Sequence, residues 1–140
     1  MWNWLTHLLP SRVPPDSLGN RGEVAAARFL QRLRYRIIER QMRNRFGELD
    51  LVALDGDVVV FVEVKTRTTL LAGHPTEAVT ATKQRKITRS ALAYLKRRGW
   101  LEHRVRFDVI AVVWSNEAAT PKLQHYISAF DSDDFGQMYS

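Results

Sequence analysis

Two stretches of β-forming residues stand next to each other in the middle of the chain, separated by Asp55-Gly56. An Asp-Gly dipeptide between such stretches most readily forms a two-residue type I′ turn that joins antiparallel strands. We therefore predict a hairpin of strands 49–54 and 57–65. Its second strand contains VVVFVEVK, which is apolar on both faces, as is typical of a strand covered on both sides. The hairpin is thus expected inside a layered α/β fold.

Four charged side chains interrupt this apolar hairpin. With the Asp-Gly dipeptide as the loop, Asp50 faces Phe61 and Glu48 faces Glu63. Residues that oppose each other, or that lie two apart on a strand, share one face of the sheet. We therefore expect Glu48, Asp50, Glu63 and Lys65 to converge. A three-residue loop would shift the pairs by one and aim Glu48 or Asp50 elsewhere.

Three acids on one face need more positive charge than one lysine supplies. Opposed like charges destabilise a sheet, and a carboxylate against an apolar surface loses solvation. A divalent cation, Mg²⁺ or Mn²⁺, would compensate, since Mg²⁺ takes oxygen ligands from one or two carboxylates, waters and phosphate. The arrangement fits metal-assisted hydrolysis, with the lysine orienting water. The alternative is an edge hairpin whose charged face lies in water and prevents aggregation.

The rest of the chain predicts two helices and three further strands. Apolar residues at helical spacing predict a first helix that Asp16 or Ser17 caps and that reaches about residue 34. They predict a second helix that Thr80 or Thr82 caps and that runs through residue 96, with Gly99 as its stop. The strands are YRIIERQMR, VRFDVIAVVW and LQHYISAF. Asp108, inside the second of these, is expected to be a structural partner of an arginine.

The charge balance favours a polyanionic partner. Twenty-one Lys and Arg against 15 Asp and Glu give a net charge of +6 and a pI near 10.1. Residues 80–99 contain seven basic residues and no acid. Nucleic acid or an anionic membrane would match this charge, and the alternative is a pair of solvated basic faces. The chain has no cysteine, which suits a reducing compartment, so we expect a cytoplasmic protein.

Several other functions and segments are set aside. The four histidines lack the H-E-x-x-H spacing of zinc enzymes, and no glycine-rich phosphate loop is present. His74 is expected to be an ordinary loop residue. The opening MWNWLTHLLP is neither a signal peptide nor a spanning helix, and no membrane partner is expected. We divide the chain into an N-terminal extension (1–18), a domain (19–130) and an acidic tail (131–140).

The sequence resembles a known family in GELDLVALDGDVVVFVEVKTR, HPTEAVTATKQRKITRSALAYL and RFDVIAVV. These stretches resemble the YraN family of bacterial proteins, which is classed with the PD-(D/E)XK nucleases and is similar to Holliday-junction resolvases. The resemblance implies a restriction-endonuclease-like α/β core of order αβββαβ, with a mixed central sheet flanked by helices. It implies that Asp50, Glu63 and Glu23 bind Mg²⁺ or Mn²⁺, that Lys65 is the lysine of E-x-K, and that Glu48 is an additional catalytic acid.

The resemblance also implies a nucleic-acid partner. It implies a metal-dependent endonuclease that cuts DNA, with branched or damaged DNA as candidate substrates and a homodimer as its working form. We expect contacts with nucleic acid from Arg67, Lys83, Gln84 and Lys86. Gln84 departs from the family pattern, because Thr88 stands where relatives carry a tyrosine. A nucleic-acid-binding module without turnover stays open as the alternative, as does RNA as the ligand.

Overall fold

The computed structural model describes residues 17–68, 74–115 and 120–131 of the 140-residue chain. The predicted extension and tail lie almost wholly outside these ranges, so the domain division stays a prediction. The elements follow in chain order as helix α1 (Leu18–Arg32), strands β1 (Arg36–Asn44), β2 (Gly47–Asp55) and β3 (Val58–Arg67), a 3₁₀ turn (Pro75–Ala78), helix α2 (Ala81–Arg98), and strands β4 (Val105–Val113) and β5 (Lys122–Phe130).

The five strands form one mixed sheet in the order β1-β2-β3-β4-β5. Strands β3 and β4 pair in parallel, and the other neighbours pair antiparallel. Helix α2 lies between β3 and β4 in the chain, as a parallel pair requires a crossover connection. This confirms the predicted α/β class and its αβββαβ order, to which β5 adds a last strand.

One helix covers each face of the sheet. On one face, α1 packs Ala26, Ala27 and Leu30 against buried residues of β2, β3 and β4. On the other face, α2 packs a second buried cluster that includes Ile87 and Leu95. Strand β3 contributes to both clusters, which confirms that it is covered on both sides. Apolar burial of this kind, about 25 cal/mol per Å², is the main stabilising contribution to such a core.

The helices begin at the predicted caps. The Ser17 hydroxyl oxygen accepts a hydrogen bond from the Asn20 N–H at 3.0 Å, and α1 ends at Arg32, two residues before the predicted end. The Thr80 hydroxyl likewise accepts from the Lys83 N–H at 3.2 Å. Helix α2 continues two residues beyond its predicted end, because Gly99, with φ of 71°, provides the left-handed residue that ends it.

The hairpin turn lies one residue later than predicted. Asp55 pairs with Val58, so Gly56 and Asp57 form the two-residue loop. Gly56 has φ of 61°, a conformation that glycine adopts without steric cost. Glycine at the first loop position is the arrangement that type II′ turns use, whereas we predicted type I′.

The later turn shifts the register of β2 against β3 by two residues. Phe61 faces Val52 and not Asp50, so the predicted pairing was wrong. Side chains alternate between faces with a period of two, and a shift of two therefore leaves each side chain on its predicted face. The convergence of the acids does not depend on the corrected register.

Asp108 joins β4 to β5 through buried hydrogen bonds. Its carboxylate accepts from Arg106 Nε and Nη2, both at 2.9 Å, and from the Ser128 N–H at 3.0 Å. His125 Nε2 lies 2.7 Å from the same group. The side chain of Asp108 is fully buried, so these partners replace its lost solvation. The prediction of a structural partner for an arginine is confirmed.

Candidate functional site

The candidate site lies where the sheet forks between β2 and β3. Leu51 and Val62 are the last residues that pair across these strands. Beyond them β2 continues against β1, and β3 continues against β4. Asp50 on β2 and Glu63 on β3 are the first residues on the open side. We call this place the fork.

The Asp50 carboxylate lies between the two diverging strands. Its Oδ2 accepts a hydrogen bond from the Val64 N–H at 2.8 Å, so a side chain replaces the interrupted backbone ladder. Burial raises the pKa of Asp50 well above its usual range, and the negative charge of Glu63 raises it further. Glu63 itself is only 7% exposed. Two repelling acids in a poorly solvated place are costly without positive charge nearby.

Helix α1 brings a third acid to the fork. Burial raises the pKa of Glu23, and the charges of Glu48 and Glu63 act in the same direction, against hydrogen bonds with Gln41 and Asp50. The structure therefore places Glu23 beside Asp50, although one residue comes from a helix and the other from a strand. The predicted acids Glu23, Asp50 and Glu63 are brought together.

Gln41 holds Glu23 in place, and the sequence did not indicate it. The Gln41 side-chain amide donates to Glu23 Oε2 at 2.6 Å and to Asn20 Oδ1 at 3.0 Å. Its backbone has φ of 49°, in the left-handed region that residues other than glycine rarely adopt. Strained backbone of this kind concentrates at functional sites. The only sequence signal was the imperfect alternation of YRIIERQMR.

Two lysines neutralise Glu63. Lys83 Nζ lies 2.6 Å and Lys65 Nζ lies 3.4 Å from Glu63 Oε1. Burial lowers the pKa of Lys65, and the nearby Lys83 lowers it further against the attraction of Glu63. Burial alone would lower the pKa of Lys83, but its contacts, led by that with Glu63, outweigh burial and raise it. Lys65 is therefore the lysine that gives up its proton more readily.

Helix α1 reaches the fork because position 22 carries no side chain. A Cβ at Gly22 would lie 1.8 Å from Thr66 Oγ1 and 2.9 Å from Thr66 Cβ. Thr66 follows Lys65 on β3, and Glu23 follows Gly22 on α1. The close contact between helix and strand thus sets the position of Glu23.

Glu48 and Gln84 make structural contacts outside the fork. Glu48 Oε1 lies 3.4 Å from Arg43 Nε on β1, so this acid pairs along the edge of the sheet. Gln84 Nε2 donates to the Val79 carbonyl at 3.0 Å, which holds the start of α2. Neither side chain forms one of these bonds with an acid of the fork, although the charge of Glu48 still acts on Glu23.

The other predicted residues lie around the fork or away from it. Arg67 ends β3, and its carbonyl accepts from the Trp114 N–H at 2.8 Å. Lys86 is exposed on α2. His74 starts the 3₁₀ turn, where its ring accepts from the Thr76 N–H at 3.3 Å, as an ordinary loop histidine does.

The donors at the fork fit a hard divalent cation. Mg²⁺ takes carboxylate oxygens, commonly one or two together with waters and phosphate, and Asp50 and Glu63 provide such oxygens. The ammonium of Lys83, 2.6 Å from a buried carboxylate, already marks a place where positive charge is held. Across the described ranges, no three acidic or histidine side chains are gathered so as to hold one ion together. Protein ligands would thus be supplemented by water and substrate.

The fold and its fork define a class of protein. One helix, three antiparallel strands, a second helix and a parallel strand, with acids where the second and third strands diverge, form the restriction-endonuclease-like α/β core. The model of the uncharacterised protein family UPF0102 matches residues 22–112, and the chain belongs to this family. This confirms the resemblance to the YraN family. The match includes every acid of the fork and all of α2.

Curated relatives come from several bacteria. A UPF0102 protein of Geobacter sulfurreducens is 54% identical over 114 residues, which cover 81% of this chain and 88% of the relative. One from Rhodococcus jostii is 46% identical over 114 residues, covering 81% and 96%. One from Rhodopirellula baltica is 45% identical over 125 residues, covering 87% and 75%. In the part of the chain that is described, no helix is long and apolar enough to span a membrane.

Proposed function

We propose that this protein is a metal-dependent endonuclease that hydrolyses phosphodiester bonds of DNA. The convergence of Asp50, Glu63 and Glu23 with Lys65 at the fork carries this proposal. Acids that repel one another, held beside a lysine of lowered pKa, are typical of a site that handles positive charge and protons. Branched and damaged DNA are the candidate substrates.

Each residue of the fork has a role in this reaction. Asp50 and Glu63 would hold Mg²⁺ or Mn²⁺ together with water and substrate, and Glu23 is the further acid beside Asp50. The ion, when bound, would polarise a phosphoryl oxygen and acidify a water. Lys65 lies beside Glu63 and would orient the attacking water or stabilise the developing negative charge. When DNA binds, Lys83 would exchange its ion pair with Glu63 for one with a phosphate, since its ammonium group can pair with either anion.

The first half of α2 supports DNA as the partner. Arg85, Lys86 and Arg89 are exposed there, close to Lys83. Positive charges near the N-terminus of a helix oppose its dipole, which is unfavourable unless a polyanion compensates. These residues would contact phosphates on the side of the fork where α2 begins. We propose DNA as the ligand because the resolvase-like resemblance implies it.

One observation favours a second candidate function. Glu63 is paired with two lysines, and the described acids do not form a complete metal site by themselves. A protein that keeps this ion pair when nucleic acid binds would be a nucleic-acid-binding module without turnover. Such a module would bind DNA equally well with and without metal.

A cleavage panel separates these functions. The protein is incubated with linear, single-stranded, flapped and four-way-junction DNA in Mg²⁺ or Mn²⁺, together with Asp50→Asn, Glu63→Gln and the control Asp57→Asn. Asp57 is an exposed acid in the loop of the same hairpin. We expect cleavage of at least one DNA by the parent and the control, and a loss of about 100-fold or more in the other two variants.

The contrary result is equally specific. If the parent cuts none of these DNAs with either metal, and Asp50→Asn binds DNA as the parent does, the endonuclease proposal fails and the binding module is correct.

A further inference from the structure

A groove of about 500 Å³ lies between α2 and the turn that joins β1 to β2. Its lining contains apolar side chains, Phe46 and Leu92 among them, and no acid. Its cationic residues are Arg45, Arg89, Lys96 and Arg97. All four are exposed, and Phe46 is half-buried. We call this feature the basic groove.

The wall of the basic groove is held in a fixed shape. Asn44 Nδ2 donates to the Ser90 carbonyl at 2.9 Å, and the Phe46 N–H donates to Asn44 Oδ1 at 3.0 Å. Gly47 has φ of 149°, and an added Cβ would lie 3.2 Å from Ser90 Oγ, so glycine lets the turn approach α2. The Arg45 guanidinium carbon lies 4.7 Å from the centre of the Phe46 ring. The guanidinium therefore covers one face of the ring, and an aromatic ring and a cation stand together at the groove.

The chemistry of the basic groove distinguishes between forms of nucleic acid. A duplex presents its phosphates outward and keeps its bases stacked inside, so an apolar surface gives it little. A single strand presents phosphates together with unstacked bases, and such bases stack on aromatic side chains within positively charged grooves. Phe46 and the surrounding arginines match this second pattern.

The basic groove is close enough to the fork to take the same strand. Arg89 follows Lys83 by six residues on α2, which is about 9 Å along the helix axis, and Lys96 is about 20 Å along. At the stacked spacing of 3.4 Å per nucleotide these distances correspond to at most roughly six nucleotides, and an unstacked strand covers them with fewer. A strand that meets Lys83 can therefore continue into the basic groove.

We propose that the basic groove binds a single-stranded segment of DNA, so that the DNA cut at the fork carries an unpaired strand on one side of the cut. The assignment of this DNA as a substrate rests on the proposed endonuclease function. Binding of a single strand to the basic groove requires no cleavage and is measured separately.

The test is fluorescence anisotropy of the full chain in EDTA. The probes are a labelled single-stranded oligothymidylate and a duplex of equal length. The variants are Phe46→Ala, the conservative Phe46→Trp, and Arg32→Ala as a control. Arg32 is an exposed arginine at the end of α1, on the opposite face of the sheet.

We expect Phe46→Ala to weaken single-strand binding about tenfold and duplex binding by less than about twofold, because only unstacked bases use the ring. Phe46→Trp should preserve single-strand binding. Arg32→Ala should affect both probes equally and slightly. Equal effects of Phe46→Ala on both probes, or no effect, would overturn the proposal.

An acidic peptide is the competing occupant. The peptide DSDDFGQMYS, residues 131–140, combines acids with aromatic residues. If it binds the parent but has no measurable affinity for Phe46→Ala, while Phe46→Ala still binds the single strand as the parent does, the basic groove is a peptide site and the proposal fails. If the peptide displaces no single strand at a concentration whose total negative charge equals that of the DNA probe, the proposal stands.

The two proposals fail separately. If the parent cuts no DNA but binds single strands through Phe46, the endonuclease proposal fails and the basic groove remains a single-strand site. If the parent cuts linear duplex as fast as flapped DNA, and Phe46→Ala changes neither rate nor binding, the groove proposal fails while the endonuclease stands.

Discussion

Asp50 bears an electrostatic cost that its own contacts do not remove. Burial and the charge of Glu63 raise its pKa, and the hydrogen bond from the Val64 N–H, which lowers it, does not reverse this. A carboxyl group whose folded-state pKa is raised contributes most stability at low pH. That contribution is lost as the pH rises from the unfolded pKa through the folded one. Ionisation of Asp50 therefore costs the fold stability as the pH rises through that range.

Asp50→Asn should accordingly stabilise the metal-free protein. Asparagine keeps an oxygen that accepts from the Val64 N–H and removes the buried charge. We expect the free energy of unfolding at neutral pH in EDTA to rise by roughly 1–2 kcal/mol, as for other functional charges replaced by neutral groups. Thermal unfolding measures the change, with Asp57→Asn as the control that leaves Tm nearly unaltered. A lower Tm for Asp50→Asn would contradict our description of the fork.

Asp108 behaves in the opposite way. Burial would raise its pKa, but hydrogen bonds with His125, Arg106 and the Ser128 backbone outweigh burial and lower it. A carboxyl group with a lowered folded-state pKa stabilises the fold above its unfolded pKa. The stabilisation is lost as the pH falls through the folded pKa.

Asp108→Asn should therefore destabilise the protein in a pH-dependent way. Near neutral pH we expect a loss of about 3–5 kcal/mol, the usual cost of breaking a buried ion pair by removing one partner. At acid pH, once the pH has fallen through the lowered folded-state pKa of Asp108, the parent carboxyl group becomes protonated as well, so the difference between the proteins should narrow. Urea unfolding at both pH values measures it. A difference that stays constant with pH would show that Asp108 acts only through packing.

At the scale of elements, the contact of α1 with β3 determines where Glu23 lies. Gly22→Ala would place a methyl group against Thr66, within 1.8 Å of its Oγ1, and would push α1 away from the sheet. We expect a loss of about 1–3 kcal/mol in stability, as for other overpacked sites, and a larger proportional loss of metal-dependent activity. Adding Thr66→Ala removes the nearest atom and should restore part of both. If activity is normal in Gly22→Ala, the position of Glu23 is not critical.

Most elements were predictable from the sequence because their signals are local. Ser17 and Thr80 cap the helices, and the apolar run of β3 is evident from the amino-acid sequence. The turn was misplaced because DGD contains both an Asp-Gly and a Gly-Asp pair, and the choice depends on how β2 meets β3. Local patterns do not contain that information.

The site was predictable in part, for the same reason. Asp50, Glu63 and Lys65 follow from the alternation of the hairpin, and Glu23 followed only from the family resemblance. The ion pair of Lys83 with Glu63 depends on how α2 docks, and the contact of Gln41 with Glu23 depends on a strained backbone. Glu48 lies on the predicted face of β2, but its carboxylate forms an ion pair with Arg43. Tertiary packing determines which of these side chains come into contact.

At the scale of the whole molecule, the fork is where both layers of helix meet the interrupted sheet. Helix α1 delivers Glu23 from one face, α2 delivers Lys83 from the other, and the diverging strands hold Asp50 and Glu63 between them. Seven of the 21 basic residues lie on α2, which carries no acid. Acids at the centre and cations around them are the arrangement that a metal-dependent enzyme acting on a polyanion requires.

Calorimetric titration of the protein with Mg²⁺ and Mn²⁺ tests this arrangement most directly. We predict saturable binding by the parent and by Asp57→Asn, and its loss in both Asp50→Asn and Glu63→Gln. Absence of binding by the parent, or binding that survives both changes at the fork, would contradict the account.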